Sequence, residues 1–592
     1  MKPGSDEQRM ILFAVIAISV MIAWDFFYMK PIQKEQQAQT KTTQESTQDP
    51  GTAADFPPTK RQNIPTPDMG ETSSPSPELV SKVALDRKAI LQQSDRIAIV
   101  TDKLKGSISL RDGRIDDLTL QKYGTTAEKG SPREVFFAPS GSKQVHFARF
   151  GWLSNDTSIK LPNDNTVWTT SDEQLTPQTP VTLRWDNGAG LVFKMTYSID
   201  KNYLIRQTLS VDNNSNKSVS LASYGLISKI RPDKEVLGIA HEGALGVFQE
   251  QLEEEDWSDL EDDGPFDYES KGGWAGLTEK YWLSALIPED QNLTFHVRFK
   301  HIPSINRFQA SMRMPVQVIQ PGAAAEQKLF LFAGAKEVDV IEDYAKTYRI
   351  TFFDKAVDWG WFAFLTKPIF YLLNWLYKLI GNFGVAIIGL TIIIKAIMFP
   401  LAHKSYVSMN KMKLLAPKTK ELQQRYKEDP TQMRTAMMEL YKKENVNPMS
   451  GCLPLLLQMP VFFALYKVLY IAIDMRHQPF ILWIQDLSAP DPLTPINLFG
   501  LLPFTPPQMI AIGILPILWG LSQWAQQKLS PPPADPVQAQ VMALMPVVMT
   551  FIFASFASGL VLYWLVNNLL SILQQWSLLK WTTNGKEEKA RT

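Results

Sequence analysis

Few residues in this chain are placed to do chemistry, and Lys395 is the most conspicuous. It stands inside LTIIIKAIMFP (Leu390–Pro400), a run that otherwise reads as membrane-buried. A charge at the centre of a membrane helix costs ~2.5–3.5 kcal/mol on insertion scales. No acidic residue occurs in the last five apolar runs to neutralise it. Counting to His403 puts Lys395 roughly 12 Å from the end of its run at about 1.5 Å per residue. That is far for a lysine stem to snorkel, so the ammonium calls for water or a polar lining. Thr391, one turn earlier, lies on the same face.

Other polar side chains sit at comparable depth. Gln458 interrupts LPLLLQMPVFF. In the final apolar run Tyr563, Asn567, Leu570 and Gln574 recur at helical spacing, and Trp564, Asn568, Ser571 and Gln575 form the neighbouring face. Each such side chain can serve simply as a helix-to-helix bond. Together with an unneutralised lysine they imply a hydrated concavity open to the cytoplasm. A second lysine in an apolar run, Lys467, lies near the outer end of its segment and reads as snorkelling.

Covalent and metal chemistry find no footing. The single cysteine, Cys452, excludes an internal disulfide and makes a thiolate zinc site untenable. The six histidines show no HExxH or other ligand spacing, and there is no Walker loop or catalytic-triad signature. The chain therefore reads as a non-enzyme without cofactor or metal. A formal net charge of zero gives no global field for nucleic acid, and no nucleic-acid specificity is expected. An isolated cation in a wet groove suits two functions. It could attract acidic residues of a passing polypeptide, or it could bind an anionic solute in a secondary transporter. Transporters commonly carry repeated halves, and no internal repeat is visible here.

The elements that must position these residues follow from hydropathy. The chain has 592 residues, too many for one ordinary domain, and its 45% hydrophobic content hides a split. The first two-thirds is mostly polar with short strand-like runs, and the last third is a series of apolar segments. Residues 1–29 contain MILFAVIAISVMIAWDFFY, about long enough to span and ending in an interfacial aromatic cluster, as in an uncleaved signal anchor. Residues 30–79 are Gln, Thr, Ser and Pro with almost no apolar residues, which predicts a disordered tether. Residues 80–350 alternate at period 2 between turn signals, predicting an all-β sandwich, with hairpins through DNG and NNSN. The acidic stretch Glu250–Glu269 reads as a solvated loop and lacks EF-hand spacing. Residues 351–381, rich in aromatics, predict an amphipathic interfacial helix.

Residues 382–580 then supply five spans, near Phe383–Ala402, Met449–Ile473, Met509–Gln527, Val541–Ala557 and Gly559–Lys580. With the anchor this makes six. The segment His403–Glu444 carries ten Lys or Arg, whereas 474–508 carries one, Arg476. The positive-inside rule places the first in the cytoplasm and the second outside. The β-domain is then outside, and both termini, including the tail 581–592, are inside. The basic segment, broken at EDPTQ, predicts a cytoplasmic helical hairpin over 403–446. Its Met409, Met412, Met433, Met437 and Met438 are adaptable apolar contacts suited to varied client segments.

Several long segments carry a specific resemblance. KAIMFPLAHKSYVSMNKMKLLAPK, ELYKKENVNPMSGCLPLLLQMPVFFALYKVL, LWIQDLSAPDP, QQKLSPPPADPVQAQVMALMP and SGLVLYWLVNNLLSILQQW resemble the YidC/Oxa/Alb family of membrane protein insertases. SKGGWAGLTEKYWLSALIP (Ser270–Pro288) resembles the periplasmic domain of its Gram-negative forms. The resemblance implies a polytopic α-helical membrane protein of the inner membrane, with a five-span insertase core and a periplasmic β-sandwich. It implies a hydrophilic groove that inserts nascent membrane proteins, alone or with the Sec translocon (SecYEG and SecDF), without hydrolysing nucleotide. Membrane lipids and the ribosome are further candidate partners. The groove cation of the best-described members is an arginine, and Lys395 occupies its position, keeping the charge without the bidentate fork. The reading of the residues places Lys395, Thr391, Gln458, Tyr563, Trp564, Asn567 and Gln574 about the groove; the resemblance implies a substrate contact at the Tyr563–Trp564 pair, more securely at Tyr563, and substrate capture by the hairpin.

Overall fold

The structure is a computed structural model that describes residues 86–231, 240–426, 429–444, 446, 453–499, 501–502, 511–530 and 536–589. The signal anchor and the tether lie outside the described residues.

From Arg96 to Ala335 the chain builds two largely antiparallel sheets, one of ten strands and one of eight. The period-2 pattern fulfils its expectation in the opening meander. Strands Arg96–Val100, Leu104–Ser109 and Ile115–Gly124 pair in succession and bury Ile97, Ile99 and Ile108. Apolar side chains of both sheets form one continuous core, as a sandwich requires. Three short helices accompany the sheets: α1 (Arg87–Leu91), α2 (Trp257–Asp262) and α3 (Val338–Thr347).

The DNG segment makes the expected hairpin. Strands Val181–Asp186 and Leu191–Ile199 pair, and the Asn187 carboxamide oxygen accepts from the backbone of Ala189 and Leu191 to close the turn. The NNSN segment does not. Leu204–Asn213 belongs to the eight-stranded sheet and Val219–Ile230 to the ten-stranded sheet, so this turn crosses between layers. Buried Asn213 holds the crossing by donating to the carbonyls of Lys217 and Ile319. The acidic stretch is a second departure. It forms the strand Gln251–Asp256, helix α2 and the strand Phe266–Lys271. Buried Trp257 and Leu260 anchor it, so its carboxylates decorate the outside of regular structure.

The helical part follows at once. Helix α4 (Ala363–Ile380) is the expected amphipathic element, with Ile369, Phe370, Leu373 and Leu376 buried and Phe364, Trp375 and Leu379 exposed. Gly381 ends it in a left-handed conformation (φ 78°), and the Asn382 side chain caps α5 (Phe383–Arg425). Helices α6 (Pro430–Lys443), α7 (Leu453–Ile471), α8 (Ile514–Leu529), α9 (Pro536–Phe553) and α10 (Ser558–Lys589) complete the chain. Asp429 caps α6 through the amides of Thr431 and Gln432, so the hairpin turns where EDPTQ predicts.

Helix α5 is one unbroken element of 43 residues. The expected span and the first arm of the hairpin are therefore a single helix. Among the described residues α5 alone is long and apolar enough by itself to cross a membrane; the apolar portions of α7 and α9 are shorter. Helix α10 continues to Lys589 and takes in most of the expected tail.

Candidate functional site

Helices α5 and α10 pack side by side, and the residues that face one another are set by helical spacing. On α5, Ile392, Lys395, Ala396, Phe399, Pro400 and His403 form one stripe; on α10, Leu570, Leu573, Gln574, Ser577 and Leu578 form the other. Between the stripes lies a groove of about 960 Å³. Its walls are chiefly apolar, with Lys395 and Gln574 inside it and His403 and Lys404 at the end nearest the hairpin.

Lys395 is half-buried, and its Nζ donates to Ser571 Oγ at 2.8 Å. The Ser571 hydroxyl donates in turn to the Asn567 carbonyl at 2.8 Å, leaving its lone pairs for the ammonium. Thr391, buried beneath, returns its hydroxyl to the Ile387 carbonyl at 2.7 Å. The lysine is thus held by a neutral hydroxyl, and among the described residues no carboxylate pairs with it. Such an attraction at 4 Å is worth about 1 kcal/mol in water and about 4 kcal/mol near a protein surface.

The remaining expected residues lie elsewhere. The Gln458 amide donates to the Tyr563 hydroxyl where α7 meets α10, and both side chains are buried. Asn567 is buried as well. Trp564 packs among Phe462, Trp519 and Phe553. Beside it Asn568 donates to Ser522 and Gln523 of α8. These groups interlock four helices behind the groove wall, the use that polar side chains find between membrane helices. The groove itself unites only Lys395 and Gln574 of the expected set.

Sequence reasoning passed over Ser571 as a working residue, and also His403, Phe399 and Leu573. The signal was present: Lys395, Phe399 and His403 follow at four-residue intervals, and Ser571 is one turn beyond Asn567. In the hairpin Met437 is buried, Met409, Met412 and Met433 are half-buried, and Met438 is 62% exposed. An ion pair of 2.8 Å between Lys418 and Glu444 ties its two arms.

Lys467 does more than snorkel. Its Nζ lies 2.5 Å from Asp358 Oδ2, just ahead of α4, so the C-terminal end of α7 is pinned by a largely buried ion pair. Arg476, five residues beyond α7, donates to the Gly124 carbonyl and to Glu134, both at 3.0 Å. Lys280 of the β-domain lies 3.7 Å from the centre of the Tyr470 ring on α7. The sandwich is thus joined to the helices by charged and cation–π contacts.

Comparison with known proteins decides the family. The family described as YidC periplasmic domain matches residues 96–372, and that described as 60Kd inner membrane protein matches residues 375–586. The membrane protein insertase YidC of Rickettsia rickettsii (strain Sheila Smith) is 43% identical over 97% of this chain and 99% of its own. The chain belongs to the YidC family of membrane protein insertases. YidC of Rickettsia prowazekii (strain Madrid E) is 42% identical over the same shares. A solved structure of an active YidC insertase with its first transmembrane domain resolved is 18% identical over 81% of this chain and 92% of that one, with a TM-score of 0.35. The relatives bear out the insertase reading over the transporter alternative, and membership of the YidC family makes this an inner-membrane protein.

Proposed function

We propose that the groove between α5 and α10 is where this insertase receives the hydrophobic segments of its clients. The observation that carries the reading is Lys395, a cation in an apolar groove whose described hydrogen-bond partner is the neutral hydroxyl of Ser571. The walls accept an apolar helix face, and the charge draws acidic residues of the adjoining client segment part-way into the membrane. Each step is electrostatic or apolar, with no bond made or broken. Lysine in place of arginine makes this a distance-dependent attraction without fixed fork geometry.

In this reading the chain has six spans: the anchor 1–29 and five in 382–580. The hairpin 403–446 and both termini are cytoplasmic, and the β-domain 80–350 is periplasmic; the charge asymmetry between 403–444 and 474–508 supports this orientation. Helix α4 lies at the outer interface. The hairpin, with its methionines, meets clients first. Nascent chains arrive from the ribosome or laterally from the Sec translocon. Photo-crosslinkers at Lys395 and Gln574, presented to a stalled nascent inner-membrane protein, test the proposal. Adducts confined to positions outside the groove would refute it.

A further inference from the structure

At the outer junction the β-domain and the loop after α7 enclose a second cavity, of about 260 Å³. Four cations line it, Lys122, Lys129, Arg133 and Arg476, against one carboxylate, Glu128. Arg476 is fixed by Gly124 and Glu134 and lies over the Trp282 ring at 5.2 Å, and Lys122 reaches Glu337 at 3.2 Å. Those contacts engage only some of the donors that an arginine and a lysine carry. The side chains of Lys129 and Arg133 are exposed and make no hydrogen bond or ion pair with a described residue. The turn that carries them is ordered, with Thr125 and Ser131 hydroxyls 3.0 Å apart and the Thr126 amide donating to Ser131.

The surroundings indicate what such a cavity meets. Gln478, on its wall, accepts from the Leu487 amide and closes a loop whose tip is Ile481 and Leu482. These two apolar side chains are 52% and 75% exposed. Leu482 is held with φ 56°, and His477 on the wall with φ 60°, conformations that cost such residues about 1–3 kcal/mol. A cationic pocket beside outward apolar side chains, directly beyond the end of an apolar helix, matches the headgroup boundary of a bilayer.

From this we infer that the cavity binds the phosphate of an anionic phospholipid of the outer leaflet, seating the β-domain on the membrane. The inference rests on the topology proposed above. The lipid phosphate takes its hydrogen bonds from Lys129, Arg133 and the spare donors of Lys122 and Arg476, while Ile481 and Leu482 lie among the acyl chains.

The test uses the full-length protein with Cys452→Ser and Ala127→Cys, carrying an environment-sensitive fluorophore at position 127, in phosphatidylcholine nanodiscs. Adding phosphatidylglycerol should give a saturable spectral change. Lys129→Ala with Arg133→Ala should weaken the response by about tenfold or more, the loss expected of two cations at an anionic surface. Inorganic phosphate should give no such change. Absence of a response to phosphatidylglycerol, an equal response in the double variant, or a response to inorganic phosphate alone would each overturn the inference. Labelling of the same cysteine by a membrane-impermeant maleimide in spheroplasts reports the topology separately. Failure of that labelling would count against the topology; a failed lipid response with labelling intact would count against the lipid site.

Discussion

Lys395 Nζ stands 2.8 Å from Ser571 Oγ, a hydrogen bond between residues 176 positions apart that ties the two walls of the groove to one another. In the proposed function the pair joins a charge that attracts to a hydroxyl that merely steadies it. The two partners should therefore fail differently.

Lys395→Arg should retain much of the insertion activity. Lys395→Ala and Lys395→Glu should lose it for clients with acidic translocated segments and spare clients without them. Ser571→Ala should cost less than either, since a hydrogen bond to a charged group contributes about 1.5–3 kcal/mol while the charge itself survives. Protease-protection assays on matched clients measure all four. Equal insertion of acidic clients by the Ala and Arg variants would remove the charge from the mechanism.

Photo-crosslinkers at Met409, Met412, Met433 and Met438 should trap client chains earlier than one at Lys395 does. Met437, being buried, should trap least. A time course on staged nascent chains gives the order, and the reverse order would leave the hairpin as a topology determinant alone.

The ion pair of Lys467 with Asp358 predicts a stability effect independent of clients. Lys467→Met leaves a mostly buried carboxylate unpaired. It should destabilise the purified protein by on the order of 1 kcal/mol or more, between the values for exposed and buried pairs. Adding Asp358→Asn should recover part of the loss. Thermal melts of the two single variants and the double variant decide it, and additive losses would mean the pair is not coupled.

Glu337 predicts an acid dependence. Burial alone would push its carboxyl up, but Lys103, Tyr203, Lys122 and Tyr123 outweigh burial and hold it at about 2. A depressed carboxyl contributes stability that is present above its unfolded value of about 4.3 and is lost as pH falls through the folded one. The contribution is roughly 3 kcal/mol by that linkage. Glu337→Gln should lower stability at neutral pH and flatten the fall between those two values in denaturant titrations. An unchanged acid profile would show that the cluster is not linked to folding.

Much of the architecture was legible because it depends on local pattern. The alternation at Ile97, Ile99 and Ile108 announced the first strands, and Asp429–Pro430 marked the hairpin turn. NNSN misled because a turn signal says that the chain reverses, not which sheet receives the next strand; that is decided by Asn213 reaching Ile319 more than a hundred residues away. The acidic stretch misled because Trp257 and Leu260 are too few to show a periodicity, yet enough to anchor a helix. At the site, Lys395 announced itself by its cost. Its partner Ser571 did not, because a serine in an apolar helix carries no comparable penalty. Gln458 and Tyr563 could not be separated by sequence from groove-lining residues, since a polar side chain between helices and one facing a groove have the same spacing.

The unbroken helix α5 carries one wall of the groove and the first arm of the hairpin in a single element. From Lys395 to Arg425 is thirty residues, so about 45 Å of continuous helix at about 1.5 Å per residue extends from the charge to the hairpin tip. Pro400 and Pro417 interrupt its hydrogen-bond ladder and are where it can bend. Pro400 lies on the groove wall itself. A bend at Pro400 would lie about a turn and a half from Lys395, at about 3.6 residues per turn. A displacement of the hairpin tip and a change in groove width would then be two ends of one bend in one helix.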